Sequence, residues 1–239
     1  MNLINIEHLF ILFLLYSSLG WLIETIGDFI KNKKFINRGF LLGPYCPIYG
    51  VGVVLITLLL SRYTNDFVAL FFLSTIICGF LEYFTSYIME KLYKTRWWDY
   101  SNMKFNINGR ICLETLILFG VAGILILHFS NPFFLKILNN LPNIVSHSLS
   151  GFLFLFFIID CVISLNIMNS IKTIKINVGN QLKDNTDEIS SKIKEILMQK
   201  SLPYKRFLSA FPLAFSEKLK EGKELLEQKV EKLKENIKK

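Results

Sequence analysis

Apolar residues along this chain come in long blocks rather than in alternation. Blocks near 8–29, 43–61, 67–90, 111–129 and 148–168 are long enough for a helix to cross the hydrocarbon core of a bilayer, which takes roughly 20 mostly apolar residues. They are too long for the single apolar stripe of a soluble helix. The pattern predicts an all-α polytopic membrane protein with five transmembrane helices. The second block is the shortest and opens with two prolines, Pro44 and Pro47.

After residue 170 the pattern changes. Lys and Glu interleave, and apolar residues recur at heptad steps: Leu182, Ile189, Ile193 and Ile196, then Leu219, Leu226, Val230, Leu233 and Ile237. These are helical faces able to pair, by coiled coil or by self-association. The chain therefore divides into a five-span membrane domain over 1–170 and a charged helical tail over 171–239. Between the heptad runs lies SLPYKRFLSAFPLAF, residues 201–215. It reads as an interfacial membrane contact or as a turn between two helices.

Charge gives the blocks an orientation. Lys31, Lys33, Lys34 and Arg38 fill the first connection, and Lys91, Lys94, Arg96, Lys104 and Arg110 the third. The second holds only Arg62 and the fourth only Lys136, while the tail is rich in Lys. By the positive-inside rule the N-terminus lies outside and the tail in the cytoplasm of a bacterial inner membrane. The first block lacks a basic stretch before it and a small-residue site after it, so no cleaved signal peptide is expected. The net charge of +8 lies mostly in these connections and the tail. Anionic membrane lipid is then the simpler partner, and nucleic acid is not expected. The chain is 52% hydrophobic with 22 Phe, and its mean hydropathy is +0.41, which fits an integral membrane protein.

Four acids fall inside the blocks: Glu24, Glu82, Glu114 and Asp160. A charge near a helix centre costs about 2.5 kcal/mol or more unless paired or wet, so such residues mark functional sites by default. Given the orientation, they are expected to converge on one polar site open to the cytoplasm, with Arg38 and Arg110 as counter-charges. The alternative is that acids and arginines staple helices together. Pro44, Pro47 and Tyr49 belong to GPYCPIYG, residues 43–50. Two prolines there expose backbone polar groups, which are tolerated at membrane depth only inside protein or beside water. This segment is expected to line the site.

The third connection carries RWWDYSNMKFNINGR, residues 96–110. Trp97, Trp98 and Tyr100 suit the headgroup region. An interfacial anchor needs none of Asp99, Asn106, Asn108 and Gly109, so the loop, Arg96 included, is expected to cover the mouth of the site. It also has an echo. At a constant offset of 70, Phe35, Gly39 and Gly50 meet Phe105, Gly109 and Gly120. Gly20-Trp21-Leu22 and Gly79-Phe80-Leu81 precede them, followed by Glu24 and Glu82. The echo reads as a duplicated helical hairpin with a fifth span added.

Cys46, Cys78, Cys112 and Cys161 are scattered singly, and His8, His128 and His147 lie toward the outer side. Neither gives a metal site, no phosphate-binding Gly-rich motif is present, and no cofactor is expected.

The stretches NRGFLLGPYCPIYG, LEYFTSYIMEKLYKTRWWDYSNMKFNINGRICLETLILFG and GWLIE resemble a family of small bacterial integral membrane proteins. These are the CmpB-like, type IV ABC-transporter permeases. The resemblance covers roughly residues 10–168 and leaves out the tail. It implies a permease that works with a separate ATPase subunit, and it carries over no catalytic residues. The function expected is a membrane transport component. The rival readings are a membrane-embedded enzyme acting on a lipid or amphiphile and a membrane-anchored scaffold whose tail does the work.

Overall fold

The structure is a computed structural model and describes residues 5–33, 35–37, 39–93, 96–181 and 186–210. Among these every regular element is a helix, and the nearest thing to a strand is an isolated bridge between Ile107 and Ile111. The helices are α1 (Ile6–Asn32), α2 (Pro47–Leu60, extended by a 3-10 turn Ser61–Tyr63), α3 (Phe67–Tyr93), α4 (Leu113–Leu125), α5 (Asn131–Asn139), α6 (Asn143–Gln181), α7 (Thr186–Gln199) and α8 (Leu202–Ala210). Four helical stretches are long and apolar enough to cross a membrane, Ile6–Ile30, Phe67–Tyr93, Leu113–Asn139 and Asn143–Val178, and Pro47–Tyr63 is a shorter apolar one.

Local chemistry sets the boundaries. α1 ends at Lys33, which turns left-handed (φ 53°) and donates its N–H to Phe29 O at 2.8 Å. Pro47 is the first residue of α2, where its missing N–H removes nothing the helix would use. Cys46, just before it, donates its N–H to Ser17 O at 2.8 Å and ties the start of α2 to the side of α1. The fourth apolar block does not stop near residue 129 as its hydropathy suggests. A π-helical turn, Ile126–Ser130, joins α4 to α5, and Asn131 donates to Ile126 O across it. Pro132 follows and cannot donate back to the preceding turn, so the widened turn lets the helix continue past it. The fifth block is also longer than its apolar core. α6 runs through residue 170 to Gln181 without a break.

Two helix pairs dominate the packing, α1 with α2 and α3 with α4. Glycines let both pairs close. A Cβ on Gly50 would lie 2.2 Å from Phe13 O, and one on Gly120 would lie 2.5 Å from the Phe71 ring. α6 lies against α1, where Phe154 and Phe157 meet Phe10 edge-on at 5.5 and 6.3 Å between ring centroids. Large apolar side chains such as Phe72, Ile76, Phe80, Phe152 and Phe156 remain exposed on the outer faces. Such faces suit lipid rather than water.

The two ends of the bundle differ. At one end Tyr16 donates to Asn131 Oδ1 at 2.8 Å, Asn131 donates to Thr57 at 2.6 Å, and His147 meets Glu7 at 2.6 Å. His8 and His128 lie there too, against Ser146 and Phe67. The loops before α2 and α4, together with α7 and α8, gather at the other end. There Tyr93, Trp97, Ile171, Val178, Ile193, Leu197 and Phe207 share one buried cluster.

Candidate functional site

The loop end carries three carboxyl groups, and each accepts a hydrogen bond from a tyrosine. Tyr45 donates to Asp160 at 2.6 Å, Tyr49 to Glu24 at 2.6 Å and Tyr100 to Glu82 at 3.1 Å. Their surroundings separate the acids into two kinds.

Asp160, on α6, is fully engaged. Its Oδ1 accepts from Leu42 N–H (3.0 Å) and Ser164 Oγ (2.8 Å), and its Oδ2 accepts from Gly43 N–H (2.7 Å) and Tyr45 Oη (2.6 Å). Hydrogen bonds to an ionised acceptor are short and strong. Here they clamp the bend before α2 onto α6 and satisfy the backbone groups that Pro44 and Pro47 leave outside a helix. Pro44 itself is exposed.

Glu24 and Glu82 are differently placed. α2 starts at Pro47, so Tyr49 faces α1, and its ring lies where a side chain on Gly20 would be: a Cβ there would sit 2.3 Å from Tyr49 Cγ. Glu24 is one turn further along α1. Glu82, on α3, is 8% exposed. Tyr100 reaches its Oε1, and among the described residues no donor reaches its buried Oε2. The adjacent Thr115 donates instead to Cys112 O at 2.9 Å. Glu24 interacts electrostatically with both Glu82 and Tyr100, and Tyr49 with Tyr100. The cluster thus consists of two hydrogen-bonded pairs, Tyr49–Glu24 between α2 and α1 and Tyr100–Glu82 between the loop before α4 and α3, within electrostatic reach of each other. Burial, and then the Glu82 carboxylate, hold the Tyr100 phenol above its ordinary pKa, so it remains a donor. Among the described residues no Lys or Arg forms an ion pair with Glu24 or Glu82.

Arg110 serves another acid. Its Nη2 pairs with Glu90 at 2.7 Å, and its guanidinium lies over the Tyr83 and Tyr87 rings, 5.5 Å from each centroid. Arg96 reaches the same Glu90 at 3.5 Å and Asp99 at 3.4 Å. Asp99 also accepts from Ser101 N–H (2.9 Å) and Ser101 Oγ (2.5 Å). Trp98 donates to Arg110 O at 3.0 Å, Asn106 accepts from Gly109 N–H at 3.0 Å, and Asn108 donates to Tyr83 Oη at 2.9 Å. Gly109 has φ +65° and no space for a Cβ, which would lie 2.4 Å from Ser101 Oγ. These bonds fix the loop so that Tyr100 points at Glu82. Trp97 turns the other way, into the buried cluster, with its ring edge-on to Phe40 at 5.4 Å.

The sequence-predicted residues thus divide. Glu24, Tyr49, Tyr100 and Glu82 come together. Asp160 holds the bend beside them, while Arg96, Trp98, Asp99, Asn106, Asn108 and Arg110 shape the loop. Glu114 is exposed in the first turn of α4 and outside the cluster. Arg38 lies outside the described residues, as do Leu182, the heptad positions from Leu219 to Ile237 and the end of 201–215; of Ile189 only the backbone is described. Sequence reasoning missed Tyr45 as the partner of Asp160, Glu90 as the partner of Arg110, and Arg206. Tyr45 had a signal: it lies four residues before Tyr49 in the same proline-flanked stretch.

A family described as "Putative ABC-transporter type IV", CmpB type, matches residues 11–165. The chain belongs to this family. The match to the CmpB family takes in about two thirds of the chain, with α1 to α5 and the acid-bearing part of α6, and it ends before α7 and α8. No curated protein matches the chain, and no solved structure does. Membership in the CmpB family and the several apolar helices agree on a multi-pass membrane protein of transport type.

Proposed function

We propose that the chain is a five-span permease subunit with its N-terminus outside and its tail in the cytoplasm. The Glu24–Tyr49–Tyr100–Glu82 cluster is its site, and the site receives a positively charged group of the substrate from the cytoplasmic side. Pro47–Tyr63 is the fifth crossing, shorter than the others because the clamped bend before it supplies part of the depth. The grouping of both Lys/Arg-rich loops with the tail at one end supports the orientation.

The observation that carries the reading is Glu82: a buried carboxyl whose Oε2 has no hydrogen bond of ordinary length among the described residues, with the Thr115 hydroxyl as the near donor and a second acid, Glu24, within electrostatic reach. A buried acceptor left bare costs about 1–3 kcal/mol or more. Two acids and two phenols offer acceptors and no fixed positive charge. Among the described residues no three His, Cys, Asp or Glu come together to hold a metal ion. A single positive charge, such as an ammonium group or a monovalent cation, suits this site better than a divalent metal. The family description supports a partnership with a separate ATPase subunit, since no nucleotide-binding motif occurs in this chain.

The duplication also draws support. The offset-equivalent glycines Gly50 and Gly120 each seat their helix against the preceding one, and Gly20 and Gly79 each accept a side chain from the following helix, Tyr49 and Leu116.

The test is a thermal-stability screen of purified protein against monovalent cations and simple amines. A ligand that binds only the folded form raises the melting temperature, increasingly so as its concentration exceeds its dissociation constant. A cation should stabilise the wild type and leave E82Q and E24Q unshifted. No response to any cation, or an equal response in E82Q, refutes the reading.

A further inference from the structure

The tail is more than an appendage. Phe207, on α8, is 1% exposed. Its ring lies 6.4 Å from that of Trp97, and it shares a buried cluster with Tyr93, Ile171, Ile193 and Leu197. Phe40 and Leu42, from the bend before α2, pack on the same cluster. Beside Phe207, Arg206 donates from Nη2 to Leu41 O at 2.6 Å and also to Gly39 O. The next residues of that bend, Leu42 and Gly43, are the ones Asp160 holds. Arg206 interacts electrostatically with Asp160 and with Cys46. Cys46 lies between Tyr45 and Tyr49, the partners of Asp160 and Glu24.

We infer that residues 193–210 form a lid, pinned by Arg206 and Phe207, that closes the loop end of the bundle over the acid–tyrosine cluster. The inference rests on that cluster being the site entered from this end. Ile193, Leu197 and Phe207 fill an apolar socket, and one guanidinium, that of Arg206, meets two backbone carbonyls, with no ion pair fixing it among the described residues. Withdrawal of α8 would leave Trp97 and Leu42 exposed, and it would free the carbonyls of Gly39 and Leu41 for a ligand or water. The lid also lies outside the part of the chain that the family shares, so it adds control to the permease core.

Native Cys46 reports on the lid. In full-length protein in lipid nanodiscs, a water-soluble maleimide is applied and the modification of Cys46 is followed by peptide mass mapping. Cys46 should react slowly in the wild type, at least about tenfold faster in R206A and F207A, and near the wild-type rate in F207L, which keeps an apolar anchor. Equal rates in the wild type, R206A and F207A overturn the lid. A second measurement leaves the contacts nearly native. A photo-crosslinking phenylalanine analogue at position 207 should couple to the peptide that carries Trp97, and coupling only to lipid or to other peptides overturns the docking. Both readouts follow docking and access without a transported substrate, so their failure is distinct from a failure of the cation screen.

Discussion

Tyr49 Oη lies 2.6 Å from Glu24 Oε1, across the contact between α2 and α1. The bond exists because Gly20 leaves room for the tyrosine ring and Pro47 sets where α2 begins. Steric permission from one residue and helix phase from another place a phenol on an acid inside an apolar bundle.

Removing that hydroxyl should be felt at the acid. Tyr49→Phe keeps the ring and leaves the Glu24 carboxyl short of a donor, a loss of about 1–3 kcal/mol. Thermal melts in detergent of Y49F, E24Q and the double variant should show coupling, with the double variant less destabilised than the sum of the two single ones.

Asp160 should behave as a structural clamp. Asp160→Asn replaces an acceptor-only group by one whose NH2 faces the amides of Leu42 and Gly43. The peptide covering residues 39–46 should then exchange hydrogen faster, and the yield of folded protein should fall. Unchanged exchange would remove the clamp.

The glycine seams give a stability prediction with a built-in control. Gly50→Ala and Gly120→Ala put a methyl 2.2 Å from Phe13 O and 2.5 Å from the Phe71 ring, and overpacking of this kind costs about 1–3 kcal/mol. A Cβ on Gly151 meets nothing within 4 Å, so Gly151→Ala should be neutral or stabilising by up to about 1 kcal/mol, as alanine is the better helix former. Melting temperatures of the three variants decide this.

The loop over Glu82 should be stable to acid until its own carboxyl titrates. Burial raises the Asp99 pKa, but the Ser101 hydroxyl and N–H and the Arg96 guanidinium outweigh it and hold it below its ordinary value. A carboxyl with a depressed folded pKa contributes stability that is present above its unfolded value, about 3.9, and is lost as pH falls through the folded one. Tryptophan fluorescence should therefore show an acid transition below about pH 4 that is lost in Asp99→Asn. An unchanged acid transition in that variant would contradict the arrangement.

Much of this was legible in the sequence because membranes impose few solutions. Apolar block length predicted the helices, and the polar loop 96–110 proved to be a fixed structure that delivers Tyr100. Intramembrane acids were worth singling out: Glu24, Glu82 and Asp160 each accept a hydrogen bond from a tyrosine. Pairing was less legible. Arg110 is well placed along the chain to serve the buried acids, yet it takes Glu90, because the loop folds back onto the end of α3. Arg206 lies in the stretch 201–215 that reads as an interfacial contact or a turn, and its pairing was illegible because its partners are backbone carbonyls, which have no sequence signature. Helix ends were underestimated where apolar content falls but helix continues, at the π turn near Pro132 and beyond residue 170 in α6.

The most direct test of the central claim is the reaction of Glu82 with a hydrophobic carbodiimide, a reagent that modifies protonated carboxyl groups in apolar surroundings. Modification is mapped by mass spectrometry in membranes with and without the stabilising cation. The account predicts that Glu82 is modified and that the cation protects it. A Glu82 that fails to react, or that reacts at the same rate whatever cation is present, would contradict it.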